Sequence, residues 1–264
     1  MDLHISGKTA LITGSSSGIG NAIARRLAAE GCHIIIHGRS EASVQPALEV
    51  LIQDYPHTEI RGIAADLSDE AQVDSLIKSL PALDILINNA GIFTAKAFEN
   101  TSDEDWHRML EVNLMSGVRL SRACLAGMME RNWGRILFVS SECAQLVPPD
   151  MIAYSTSKAA LHALARGLAQ AAKGSGVTVN TLMPGSTLSE GAERFLQEAA
   201  VESGLSTKEV ADRFFQEVRT SSLLQRFAST DEVAAAAVFC CSSMASITSG
   251  AVIRADGGSV SGIF

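Results

Sequence analysis

Little in this chain favours a polyanion, a metal ion or a lipid bilayer as its partner. Basic residues are in the minority, 21 Lys and Arg against 29 Asp and Glu, for a formal net charge of −8. No basic run interrupts that balance, which excludes the electrostatic footprint of a nucleic-acid-binding protein. The five cysteines (Cys32, Cys124, Cys143, Cys240 and Cys241) have neither metal nor disulfide spacing, and several lie in apolar runs. They read as reduced, buried thiols of a cytoplasmic protein. The six histidines are scattered, so no metal cluster is expected. No apolar stretch reaches the roughly 18 residues of a membrane span. The first residues, Met1-Asp2-Leu3-His4-Ile5, lack the basic and apolar regions of a signal peptide. A Pro- or Gly-rich linker is missing too, as is any internal repeat.

What is there is an apolar chain of 264 residues, 47% hydrophobic, enough to bury one large α/β core. Short apolar runs at 9–13, 33–37, 60–64, 84–88, 135–140, 177–182 and 251–255 show little polar alternation. Strands buried on both faces look like this, and they point to a parallel sheet covered by helices. Helical patterns at 18–30, 41–54, 69–80, 103–131, 154–173 and 231–242 separate them, which predicts a doubly wound fold. One region breaks the rhythm. Residues 185–230 carry two extra helical patterns, roughly 189–203 and 207–222, as expected of a substrate lid.

The first strand runs into Thr13-Gly14-Ser15-Ser16-Ser17-Gly18-Ile19-Gly20, which opens the first helix. Glycines allow a tight turn and close approach to a pyrophosphate, and the helix N-terminus offers free N–H groups to the anion. The spacing differs from the common G-x-G-x-x-G fingerprint. In an NAD enzyme an acidic residue near the end of the second strand would bind the ribose diol. Here that strand ends His37-Gly38-Arg39-Ser40. Arg39, helped by Ser40, is suited to a 2′-phosphate, so NADP(H) is expected over NAD(H).

Tyr154 and Lys158 stand one helical turn apart, thirteen and seventeen positions after Ser141. A free tyrosine titrates near 10, and bringing it to 7 takes about 4 kcal/mol in favour of the phenolate. A unit charge about 4 Å away supplies on the order of 4 kcal/mol at an effective dielectric of about 20. Lys158 is thus expected to depress the phenol. Taken alone, Tyr-x-x-x-Lys also fits an ordinary helix start.

With the glycine turn and the Ser-Tyr-Lys set together, the chain resembles the short-chain dehydrogenase/reductase family from Gly7 to about Gly258. Other pieces fall in family order: Asp66-Leu67, Asn88-Asn89-Ala90-Gly91, Asn113, Asn180, Pro184-Gly185 and Asp256-Gly257-Gly258. The resemblance implies one Rossmann-type domain over 1–264, with a seven-stranded parallel sheet and the cofactor across its carboxyl edge. It implies that Gly14, Ser16, Ser17, Gly18, Ile19 and Gly20 hold the pyrophosphate. Asp66 and Leu67 would border adenine, and Asn88, Ala90 and Gly91 the ribose. Pro184, Gly185 and Thr187 would meet the nicotinamide. Tyr154 would be the general acid/base, Lys158 its partner on the nicotinamide ribose, and Ser141 the hydrogen-bond donor to the substrate oxygen. Asn113 would kink its helix and anchor a water that relays protons to Lys158.

The expected activity is interconversion of a small ketone or aldehyde and an alcohol. Reduction of 3-oxoacyl chains on acyl carrier protein is the alternative. Against it, the usual docking positions read Arg131-Asn132-Trp133 and Lys173-Gly174-Ser175, only partly basic. A non-catalytic nucleotide sensor or scaffold would generally lack Tyr or Lys, whereas all four active-site residues are present. The resemblance also implies a homo-oligomer, tetramer or dimer, built on helices 103–131 and 154–173. His162 reads as an ordinary helix-face histidine, and Cys143 as pocket lining without chemistry.

Overall fold

A computed structural model describes residues 2–262. Seven parallel strands form the central sheet: β1 (Thr9–Ile12), β2 (His33–Gly38), β3 (Ile60–Ala64), β4 (Ile85–Asn88), β5 (Gly134–Val139), β6 (Val177–Pro184) and β9 (Val252–Ala255). Two short strands, β7 (Thr187–Leu188) and β8 (Ala228–Ser229), pair separately. The order β3-β2-β1-β4-β5-β6-β9 is that of a doubly wound sheet. Its direction of winding reverses between β1 and β4, and a crevice opens there at the strand carboxyl ends.

The apolar runs divide their side chains between two cores. Ile12, Ile34, Ile36, Ile85 and Ile87 face one layer, with α1 (Gly18–Ala29), α2 (Glu41–Asp54) and α10 (Thr230–Cys241). Leu11, Ile35, Leu86, Ile136 and Phe138 face the other, with α3 (Glu70–Ser79), α5 (Ser116–Glu130) and α7 (Ile152–Ala171). Neighbouring residues of one strand thus enter opposite cores, which is why the runs lack polar alternation.

The helix expected over 103–131 is not continuous. It is α4 (Asp103–Leu110), a π turn at Glu111–Met115, and α5. Asn113 sits in the π turn and turns its amide to the loop after β4. Its Oδ1 accepts from Ile92 N at 2.8 Å, and its Nδ2 donates to Ile92 O at 2.9 Å. The helix is therefore interrupted at Asn113 by a π turn, which takes in one residue more than an α turn. The excursion after β6 holds α8 (Glu190–Ser203) and α9 (Thr207–Arg213), the latter prolonged only by a π turn to Val218 and not to 222. Pairing of β7 with β8 joins the beginning of the excursion to its end, which the sequence reading did not anticipate. A short α6 (Cys143–Leu146) was likewise unforeseen.

Candidate active site

The glycine turn is locked to β4 through Thr13. Its Oγ1 accepts from Asn89 N at 2.9 Å and Ala90 N at 3.0 Å. Asn89 answers with Nδ2, donating to Thr13 O and Gly14 O at 2.9 and 3.0 Å. Glycine is required on steric grounds. A Cβ on Gly14, whose φ is +62°, would lie 2.9 Å from Ala90 Cα, and one on Gly20 would lie 2.4 Å from Gly14 O. This is a cradle that side chains would fill, and it fits a pyrophosphate. Ser17 is the N-cap of α1, and Gly18 and Ile19 form its first turn.

His37, passed over in the sequence reading, braces this corner from β2. Its Nδ1 accepts from Gly14 N at 3.1 Å, so Nε2 carries the proton and donates to Ala65 O at 3.0 Å. Burial lowers its pKa and keeps the ring neutral. Only the fold brings these three strand ends together.

A cleft of about 360 Å³ opens beside the turn. Gly14 and Ser16 form one wall, Arg39 and Ser40 the next, and Asp66 with Leu67 a third. Ala90 and Gly91 close it toward the sheet. Asp66 takes hydrogen bonds from Ser68 Oγ and N, which hold its carboxyl below the ordinary range, with Arg39 and Arg108 adding to the effect. Arg108 also lines the cleft and was not foreseen. Asn88, expected at the ribose, is buried, and its Nδ2 lies 3.4 Å from Ser121 Oγ. Asn89 is the member of that pair lining the cleft.

Gly91 leads from the cleft to the second half of the site. A Cβ there would lie 3.0 Å from Lys158 Nζ and 3.4 Å from Asn113 Oδ1. Asn113 Nδ2 also lies 2.9 Å from Ser157 Oγ, tying the π turn to α7. Lys158 is buried, and its Nζ donates to Val139 O at 2.9 Å, 5.8 Å from the Tyr154 ring centroid. Ser140 donates to Lys158 O at 2.9 Å and lies at the same distance from His162 Nε2. Because the serine spends its proton on that carbonyl, His162 must donate to it. His162 is a brace for the β5 end.

One expectation is overturned. Burial pushes the Tyr154 phenol up to about 12, although Ser141 works in the other direction. Desolvation also pushes Lys158 down to about 8. Coulomb attraction to Lys158 favours the phenolate, but desolvation of both partners outweighs it, and Glu142 and Cys143 raise the phenol further.

Pro184, Gly185 and Thr187 lie at this second end. Pro184 O accepts from Glu142 N at 2.8 Å, and Thr187 Oγ1 donates to Gly185 O at 2.9 Å. A Cβ on Gly185 would lie 2.7 Å from Asp256 Cα, so the β6 and β9 ends meet there without a side chain between them. Glu142, Ser186 and Arg219 cluster next to Ser141, and their pairing was not foreseen, since a Glu and an Arg 77 residues apart carry no sequence signal. Among the described residues no group of three or more His, Cys, Asp or Glu is arranged to hold a metal ion. No helix among them is long and apolar enough to cross a membrane.

Comparison with known proteins bears on this geometry. A family profile described as short chain dehydrogenase matches residues 8–200. An uncharacterized oxidoreductase of Bacillus subtilis (strain 168), YvaG, is 42% identical over the full length of both chains. The 3-oxoacyl-[acyl-carrier-protein] reductase FabG of Aquifex aeolicus is 32% identical over 98% of this chain and 99% of its own. L-Sorbose reductase from Gluconobacter frateurii, solved with NADPH and L-sorbose, superposes with a TM-score of 0.94 at 32% identity, covering 100% of both chains. A doubly wound sheet ending in this glycine turn, matched from end to end by such proteins, leaves one assignment: the chain belongs to the short-chain dehydrogenase/reductase family of oxidoreductases.

Proposed function

We propose that this protein uses NADP(H) to interconvert a small ketone or aldehyde and the corresponding alcohol, with Tyr154 as general acid/base. The observation that supports this reading is that Lys158 Nζ lies 5.8 Å from the Tyr154 ring centroid and beside Gly91, which lines the cleft, with Ser141 near enough to act on the phenol. The nicotinamide, when bound, supplies or accepts the hydride. Everything else falls to side chains of the chain itself. A carbonyl oxygen gains negative charge as it is reduced, and hydroxyls aimed at it stabilise that charge where it develops. Tyr154, with its phenol pushed up to about 12, is protonated at neutral pH and suited to donate. Ser141 supplies a second hydrogen bond. Lys158 would hold the nicotinamide ribose and lend positive charge to the phenolate left behind. The proton is then restored through Lys158 and a water anchored by Asn113.

At the other end, Arg39 and Ser40 would hold the 2′-phosphate of NADP(H), in a cleft that Arg108 also lines. No acidic residue ends β2 to bind a free ribose diol. This supports NADP(H) over NAD(H), as does the NADPH bound to the sorbose reductase.

Acyl-carrier-protein reductases are among the relatives, which is the ground for a second reading. The basic residues such a partner would need are poorly placed. Arg131 Nη2 is bound to Leu83 O at 2.6 Å, Asn132 Oδ1 takes Gly176 N at 2.7 Å, and the chain carries a net charge of −8. A free carbonyl is the better substrate, in a cytoplasmic homo-oligomer. An absorbance screen of NADPH and NADP over carbonyls and alcohols tests the proposal. Turnover of at least one small carbonyl supports it, and tight NADPH binding with no turnover would favour a sensor.

A further inference from the structure

Phe93 is 71% exposed and packs into neither core, so folding does not account for its ring. A single apolar side chain on a surface is ordinary. This one is set apart by where it stands. Its ring meets that of Tyr154 edge-on, with centroids 6.1 Å apart and planes at 66°. Most of its surface stays open beside the phenol.

The segment that carries Phe93 is fixed at both ends. Ile92, the preceding residue, lines the cofactor cleft with Gly91, and the Asn113 amide bonds both its N and its O. On the far side, Lys96 N donates to Asp150 O at 2.7 Å, and Lys96 Nζ donates to Asp105 Oδ2 at 2.6 Å. Asp150 lies in the loop that leads into α7 and Tyr154. A backbone clamped in this way holds its side chain in place, so little freedom is lost when a ligand packs on it. A rigid, open aromatic face thus stands between the cofactor cleft and the phenol.

We propose that Phe93 is a specificity-determining residue whose open face takes a flat apolar group attached to the substrate carbonyl, so that the protein favours aryl ketones and the matching benzylic alcohols. This rests on the carbonyl–alcohol reading above and narrows it. The phenol oxygen is carried on the ring that Phe93 touches, so one of the groups on the reacting carbon can lie against Phe93. Aromatic pairs placed edge-on or offset gain more than the area they cover. A puckered saturated group of the same size covers area without that gain. A hydroxylated chain would give up water for an apolar face.

The test compares kcat/KM with NADPH for acetophenone and cyclohexyl methyl ketone, which have the same number of carbons. The wild-type protein should reduce both. Their intrinsic reactivities differ, so the quantity read is the change in their ratio from wild type to variant. Phe93→Leu keeps an apolar side chain without the ring, and it should lower the acetophenone ratio about three- to tenfold. Phe93→Tyr keeps the ring and should hold the ratio within about twofold of wild type. A thermal melt and an NADPH titration report that the variants are folded. Should the leucine variant fail there, Phe93→Met reads the same change. An unchanged ratio in the folded ring-less variant, or the same loss in the tyrosine variant, overturns the assignment of Phe93. So does a wild-type protein that reduces alkyl ketones but not acetophenone, and in each of these cases the carbonyl–alcohol reading stands. A changed oligomeric state in light scattering with an unchanged ratio would assign the ring to a contact between copies instead. Failure of every carbonyl and alcohol in the wider screen sinks that reading and this inference together.

Discussion

The Glu190 carboxylate, in the first turn of α8, accepts a hydrogen bond from Gly18 N at 2.9 Å. Gly18 begins α1, where free N–H groups and the positive dipole end attract anions. A side chain from the excursion after β6 thus occupies the place suited to a phosphate oxygen. This contact joins the glycine turn to the excursion at a helix terminus suited to an anion.

Removing that charge should therefore help the cofactor. Glu190→Gln is expected to tighten NADPH binding about three- to tenfold, the range implied by roughly 1 kcal/mol at an exposed helix terminus. Titration of NADPH fluorescence at low salt reads it, and the gain should shrink as ionic strength rises. Weaker binding in the variant would mean that Glu190 assists the cofactor.

Tyr154→Phe deletes one oxygen from the centre of the site. Turnover should fall by at least about a thousandfold, within the range of a lost general acid. The NADPH dissociation constant should stay within about twofold of the wild-type value. Substantial residual activity would place the proton donor elsewhere.

Lys158 gives a pH signature. Its pKa is pushed down to about 8 in the native state from 10.5, so above about pH 8 the native protein sheds a proton that the unfolded chain keeps. The unfolded state then binds more protons, and this contribution raises stability as pH increases. Buried thiols such as Cys32, pushed up to about 12, act in the opposite sense above about 9. The comparison with Lys158→Met cancels them. Between pH 7.5 and 9.5 the wild-type unfolding free energy should gain about 2 kcal/mol relative to that variant, measured in urea.

Arg39 and Arg108 both line the cleft beside the glycine turn. Arg39→Ala should lower the NADPH-over-NADH ratio of kcat/KM by at least about tenfold, as loss of a charge-assisted phosphate contact requires. NADH preferred by the wild type and unaffected by the substitution would defeat the cofactor assignment.

The exposed face of α7 carries Ala163 and Gly167, and a Cβ at Gly167 would meet nothing within 4 Å. Such a flat surface suits close helix packing between copies. Light scattering should show a dimer or tetramer, and Gly167→Trp should shift it toward monomer. A monomeric wild-type protein would end this reading.

The elements were legible in the sequence wherever local chemistry suffices. The Ile34-Ile35-Ile36 run feeds two cores at once, so it lacks polar alternation and reads as a doubly covered strand. The alignment of Tyr154 with Lys158 was legible because helical geometry alone places residues a turn apart, whereas Ser141, in the loop after β5, was legible only by family pattern. Asn113 was legible by family pattern, while the π turn around it depends on the backbone of Ile92 arriving from another loop. The direction of the Tyr154 pKa shift was misjudged for a related reason. Charge can be counted along a chain, whereas desolvation depends on what packs against it.

By itself, then, the sequence determined which segments become strands and helices and which residue types can handle an anion and a proton. Propensity, periodicity and short spacings settle those matters over a few residues. Tertiary structure alone decided that Glu142 pairs with Arg219, that His37 braces Gly14, and that Glu190 reaches Gly18. Each of those contacts is a hydrogen bond between residues far apart in the chain. Its geometry exists only once the sheet has brought the strand ends to one edge.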